Sequence, residues 1–204
     1  MKKSLLAILI LLVSGCCITK YFRNDIHECS ISQVICEHNI NELEDRIKTF
    51  KADGGAYIVK DLNTNEIVEK AAINFDYNEI YKPYFSKIKL YEFLSPLQLV
   101  DRYASLMKDN TELNKILRDN VQYGTAKRAN VKNVDVYGAT ATTQSNSRDV
   151  ITAFLGHFEG DGKRYALIVV LNNPQPLKST YGFRTAGWNA VPLGRDLIKS
   201  YMSK

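Results

Sequence analysis

No apolar run in this 204-residue chain approaches the roughly 20 residues a helix needs to cross a bilayer; the longest, residues 5–13, is far shorter. There is no Arg-rich helix and no cluster of basic residues, so the net charge of +5 is spread thinly and describes no nucleic-acid surface. Cysteine is scarce, at four residues, with none of the usual spacings of a structural zinc site. Paired-carboxylate chemistry also lacks a signature, since Asp101, Glu112 and Asp149 fall at no spacing that brings two acids together. What is present is the composition of a folded domain: 45% hydrophobic and 24% charged residues, enough to bury an ordinary core.

The first residues read as a targeting segment. Lys2 and Lys3 precede the apolar stretch, which ends in Val13-Ser14-Gly15-Cys16. That ending resembles a bacterial lipobox, and the resemblance implies a signal peptide over 1–15 and a diacylglycerol on Cys16; the alternative is an ordinary cleavable signal, or an uncleaved anchor, with an incidental cysteine. Such an anchor would hold the protein at a membrane, facing the periplasm, without spanning it. Residues 16–38 then form a tether. In an oxidising envelope Cys29 and Cys36 could close a small disulfide loop, or remain free thiols. His27 and His38 lie close enough to suggest a metal, but one residue between Cys and His strains a tetrahedral site, so no metal is expected.

A domain is expected over 39–204. Ile40, Leu43, Ile47 and Phe50 recur at helical steps behind Asn39 and Glu42, which have the spacing of a capping box. Asp53-Gly54-Gly55 ends that helix. Residues 56–60 and 66–72 read as strands around a turn rich in Asn and Asp, residues 61–65. Further strands are expected over 134–143, 150–158 and 164–172, and a last helix over 186–202. Ile151, Ala153, Leu155 and His157 alternate along one strand face, which makes His157 a packing histidine near a strand end and not an acid–base group.

Several stretches carry a more specific pattern. Ser95-Pro96-Leu97-Gln98 opens a helix, with Pro96 where a missing N–H costs nothing. Gly124-Thr125-Ala126-Lys127-Arg128-Ala129 follows, then Gly138-Ala139-Thr140-Ala141-Thr142 on a strand, and the run from Lys178 to Trp188. Together with Asp61, Thr64, Asn65 and Phe75-Asp76-Tyr77-Asn78, these resemble the transpeptidase domain of the class B penicillin-binding proteins, which cross-link septal peptidoglycan. The resemblance covers about 150 residues in two blocks. It implies an α+β fold: a five-stranded antiparallel sheet flanked by helices, as in penicillin-binding proteins and β-lactamases.

It also shows losses. Family members carry well over a hundred residues between hairpin and Pro96 helix, forming a helical subdomain with the Ser-x-x-Lys nucleophile and a Ser-x-Asn motif; here only residues 79–94 connect the two. Five aromatics, Tyr81, Tyr84, Phe85, Tyr91 and Phe93, crowd into this bridge, either as a lid folded back over the sheet, the favoured reading, or as an apolar patch for a partner. The third motif, Lys-Thr-Gly-Thr in the family, reads Ala139-Thr140-Ala141-Thr142. No cation remains at its first position.

Two Ser-x-x-Lys tetrads survive, Ser86 with Lys89 and Ser105 with Lys108, about the number chance supplies. Neither has the family's context. Losing a nucleophile costs on the order of a millionfold in rate, and losing an electrostatic donor about a hundred- to thousandfold. The sequence therefore leads to a non-catalytic cell-envelope protein derived from a transpeptidase, with no assigned catalytic residue and no cofactor; the alternatives are a pseudo-enzyme remnant without function and a penicillin-binding serine acyl-transferase or hydrolase with a rewired site. Its expected partners are the membrane and either peptidoglycan or a divisome component, with no nucleic acid.

Overall fold

The computed structural model describes residues 33–76, 78, 84–92, 94–107, 110–144 and 149–203, with side chains from Asn39 onward except that of Gln144. The expected signal segment and lipidation residue Cys16, along with His27 and Cys29, lie outside them. Cys36 and His38 fall in the first helix, ahead of its described side chains.

That helix, α1 (Gln33–Phe50), begins six residues before Asn39. Asn39 is not its cap. Its side chain is buried and donates to Glu69 Oε2 at 2.8 Å, a tertiary bond that local spacing could not reveal. The hairpin follows as β1 (Gly54–Asp61) and β2 (Ile67–Ile73). Its turn works as the composition suggests: the Asp61 carboxylate accepts from Asn63 N at 2.7 Å and Thr64 N at 3.1 Å, and Asn65 takes a left-handed φ of 64°.

Two helices come next, α2 (Pro96–Met107) and α3 (Thr111–Tyr123). Ser95 Oγ accepts from Gln98 N at 3.3 Å while Gln98 Oε1 accepts from Ser95 N at 2.9 Å, so Ser-Pro-Leu-Gln is a reciprocal capping box. Asn110 caps α3 by accepting from Leu113 N. The strands β3 (Asp135–Gln144), β4 (Val150–Gly160) and β5 (Lys163–Asn172) then form a meander, and α4 (Ala190–Met202) closes the chain behind Asn189.

The sheet is antiparallel throughout, in the order β2-β1-β5-β4-β3, the α+β architecture expected. Its central strand is buried on both sides, which explains the continuous apolar run 165–171. Leu167, Val169 and Leu171 face one core with Tyr57, Val59, Val136, Phe154 and Phe158, covered by α1 and α4. Ala166, Ile168 and Val170 face the other with Ile58, Ala139, Ala141, Ala153 and Leu155, covered by α2, α3 and the bridge.

The bridge is half lid and half surface. Phe85 and Leu90 exchange backbone hydrogen bonds of 3.2 and 3.3 Å around a 3-10 turn, Ser86–Ile88. Phe85, Ile88 and Leu90 are buried in the second core, while Tyr84 and Tyr91 remain exposed. Tyr81 and Phe93 lie outside the described residues. A hairpin-like turn has two sides, and only one of them can meet the sheet.

His157 sits in that second core. Tyr103 from α2 is hydrogen-bonded to its Nδ1 at 2.8 Å, and Tyr137 stacks on its ring at 4.3 Å. Burial, aided by the Arg164 charge, lowers its pKa to about 3, and burial pushes the Tyr103 hydroxyl well up against the opposing pull of Arg164. The folded chain thus keeps His157 neutral where the unfolded chain would protonate it below about pH 6.5. Stability contributed by this histidine is complete above that pH and declines as the pH falls towards 3, by on the order of 1 kcal/mol per unit. Urea melts between pH 6.5 and 5 should show the decline, and His157→Gln should flatten it over this window.

Candidate binding cleft

The outer edge of the sheet is β3, and its two halves are treated differently. Along the first half, α3 reaches over the free carbonyls: Arg118 Nη1 donates to Val136 O at 3.0 Å, and Asn120 Nδ2 to Gly138 O at 2.8 Å. By the two-residue period of a strand, Thr140 and Thr142 also present their backbone outward, beyond the reach of these two side chains. There a cleft of about 380 Å³ opens, walled by the turn after α3 and by the segment ahead of α4.

Asn120 builds the first wall. It is buried at the end of α3, and its Oδ1 accepts from both the backbone N (3.1 Å) and the Oγ1 (3.3 Å) of Thr125. This folds the chain sharply after Gly124, where a Cβ would stand 2.2 Å from Asn120 Oδ1. Thr125 Oγ1 in turn lies 2.7 Å from Thr140 Oγ1. Because the one Thr125 hydroxyl hydrogen goes to Asn120, Thr140 donates in that pair, which fixes its hydroxyl and turns its oxygen lone pairs to the cleft. Thr142 Oγ1 accepts from Ala186 N at 3.1 Å, which leaves its own hydrogen to point elsewhere.

The opposite wall is Thr185, Ala186, Gly187 and Trp188. Gly187 serves close approach, since a Cβ there would meet Thr125 O at 2.6 Å; in Gly182, by contrast, it is a φ of 78° that demands glycine. Arg128 locks the walls together. Its Nη1 donates to Gly187 O at 3.2 Å, and its guanidinium carbon stands 3.4 Å over the Trp188 ring. Lys127 lines the cleft beside it. The Thr142 hydroxyl, an outward-facing strand edge and two cations make a site suited to a carboxylate or similar anion.

The other half of the motif faces away. Ala139 and Ala141 pleat to the opposite side of β3, where both are buried in the core cluster that also contains Phe85, Ile88, Leu90 and Leu117. The positions that would hold lysine and glycine in the resembled motif are therefore core positions in this chain. No serine, cysteine or carboxylate lines the cleft among the described residues. Ser86 is exposed at the start of the bridge turn, next to a left-handed Lys89. Ser105 is exposed on α2, donates to Asp101 O at 3.0 Å and borders a separate pocket with Arg164. Lys108 lies outside the described residues.

Sequence reasoning singled out Gly138 to Thr142 and the segment 124–129, but missed Asn120. An asparagine in the last turn of a helix carries no local signal, because both its partners come from later in the chain.

No family model matches the chain. It is 29% identical over 105 residues to the probable peptidoglycan D,D-transpeptidase FtsI of Caulobacter vibrioides, a match taking in 44% of this chain and 18% of that relative. Among solved structures, the transpeptidase domain of the FtsI4 D,D-transpeptidase from Legionella pneumophila superposes with a TM-score of 0.72 at 17% identity, covering 88% of this chain and all of that one. Penicillin-binding protein 3 from Mycobacterium tuberculosis, complexed with aztreonam, gives 0.68 at 12% identity, over 83% of this chain and 77% of the other. The sheet order, the helices on its two faces and these matches lead to one conclusion: the chain has the fold of a penicillin-binding-protein transpeptidase domain and is similar, over part of its length, to a peptidoglycan D,D-transpeptidase.

Proposed function

We propose that this is a cell-envelope protein that holds the terminal carboxylate of a peptidoglycan stem peptide in the β3 cleft without forming an acyl-enzyme. A lipid on Cys16 would keep it at the membrane. The observation that carries the reading is the division of the strand motif. Its threonines stay in the cleft, Thr142 with a hydroxyl free to donate, and Lys127 and Arg128 stand alongside. Its alanines are sealed into the core, and no nucleophile lines the cleft among the described residues. Binding needs only the first set; acyl transfer needs a serine and its base as well.

Trp188, the single tryptophan of the chain, reports on the cleft directly. Titrating the purified protein with an acyl-D-alanyl-D-alanine peptide should change its fluorescence saturably. Thr142→Val should weaken binding at least about tenfold, as expected for a lost hydrogen bond to a charged group. A flat titration to millimolar peptide would end the binding reading. A fluorescent penicillin that stays attached through denaturing gel electrophoresis would end the non-acylating one.

A further inference from the structure

The bridge presents a surface that the cleft does not use. Its inward residues, Phe85, Ile88 and Leu90, are core, and its outward ones are Tyr84, Lys87, Lys89 and Tyr91. The tyrosine rings lean on each other with centroids 4.8 Å apart, which gives one exposed aromatic pair at the base of the turn. Lys89 has a left-handed φ of 53°, placing it at the tip next to Lys87. The nearby carboxylates are spoken for: Glu92 lies 3.7 Å from Arg102, and Asp101 is 2.8 Å from Lys60. Neither Lys87 nor Lys89 has a carboxylate partner among the described residues.

We infer that this turn is a docking surface for an anionic phospholipid bilayer, with the lysines on headgroup phosphates and the tyrosine pair at the interfacial level. Tyrosine is suited to that level by its apolar ring and polar tip, and lysine near an anionic leaflet gains attraction that a neutral surface does not offer. An aromatic pair flanked by uncompensated cations matches that chemistry better than an apolar protein surface, which would leave both ammonium groups without a counter-charge. The inference does not depend on what the cleft binds.

Hydrogen exchange of the full-length chain on vesicles tests it, because the readout is local to residues 84–91 and insensitive to other attachment. Vesicles containing phosphatidylglycerol should slow exchange in this segment relative to pure phosphatidylcholine vesicles. Lys87→Glu with Lys89→Glu should remove the effect, about fivefold in local occupancy for each lysine. Both side chains are exposed, so melting should be unchanged. Equal protection on both vesicle types, or none on either, would overturn the inference. So would protection that appears only when peptidoglycan or a soluble protein is added.

Discussion

Ala139→Lys is expected to destabilise the domain severely and to restore no reactivity. In the resembled motif lysine stands at this position, and a sequence comparison alone would present the change as a repair. In the folded chain Ala139 is fully buried, in one cluster with Phe85, Ile88, Leu90, Leu117 and Leu155. An ammonium brought there meets no described carboxylate in that cluster and must either lose its proton or displace the bridge. The cost should be on the order of 3–5 kcal/mol, a large fraction of what a domain this size has in reserve. Ala139→Met separates size from charge, since overpacking alone costs about 1–3 kcal/mol. Urea denaturation should rank wild type above Met above Lys, and penicillin should label none of them. A lysine variant that melts with the wild type and becomes penicillin-reactive would show that the bridge is not a fixed part of the core.

The second large effect lies on the opposite face. Glu69 on β2 is buried, and its carboxylate accepts from the Tyr57 hydroxyl of β1, the Tyr201 hydroxyl of α4 and, at 2.8 Å, Asn39 Nδ2 of α1. The first three elements and the distant α4 thus meet at one carboxylate. Glu69→Ala removes all three bonds together and leaves a void beneath the helices. The expected loss is about 3–5 kcal/mol, or a fall in melting temperature of about 10 °C or more. Glu69→Gln keeps one oxygen acceptor and should cost less. Equal melting of wild type and Glu69→Ala would mean that α1 and α4 are held without this group.

The comparison with the sequence reading is uneven, for physical reasons. The hairpin turn was legible because Asp61, Asn63, Thr64 and Asn65 bond within five residues. The start of α2 was legible from Pro96, while the reciprocal bonds of Ser95 and Gln98 emerged only in the structure. Asn39 was misread as a cap because its real partner is thirty residues away. Nothing near Gly187 in sequence shows its constraint, which is the Thr125 carbonyl packed against it. The aromatics of the bridge announced a lid, but composition could not say that Phe85 turns inward while Tyr84 and Tyr91 stay in water.

By itself the sequence determined the strand and helix order, the resemblance to the transpeptidase domain and the departure of Ala139 and Ala141 from the resembled motif, because local bonding patterns and motif letters are one-dimensional properties. Only the tertiary structure decided that Thr140 and Thr142 look into an open cleft while Ala139 and Ala141 are core. A pleated strand sends neighbours to opposite faces, and which face is solvent depends on what packs there. Here that was settled by a short bridge whose Phe85, Ile88 and Leu90 took over one side of the sheet.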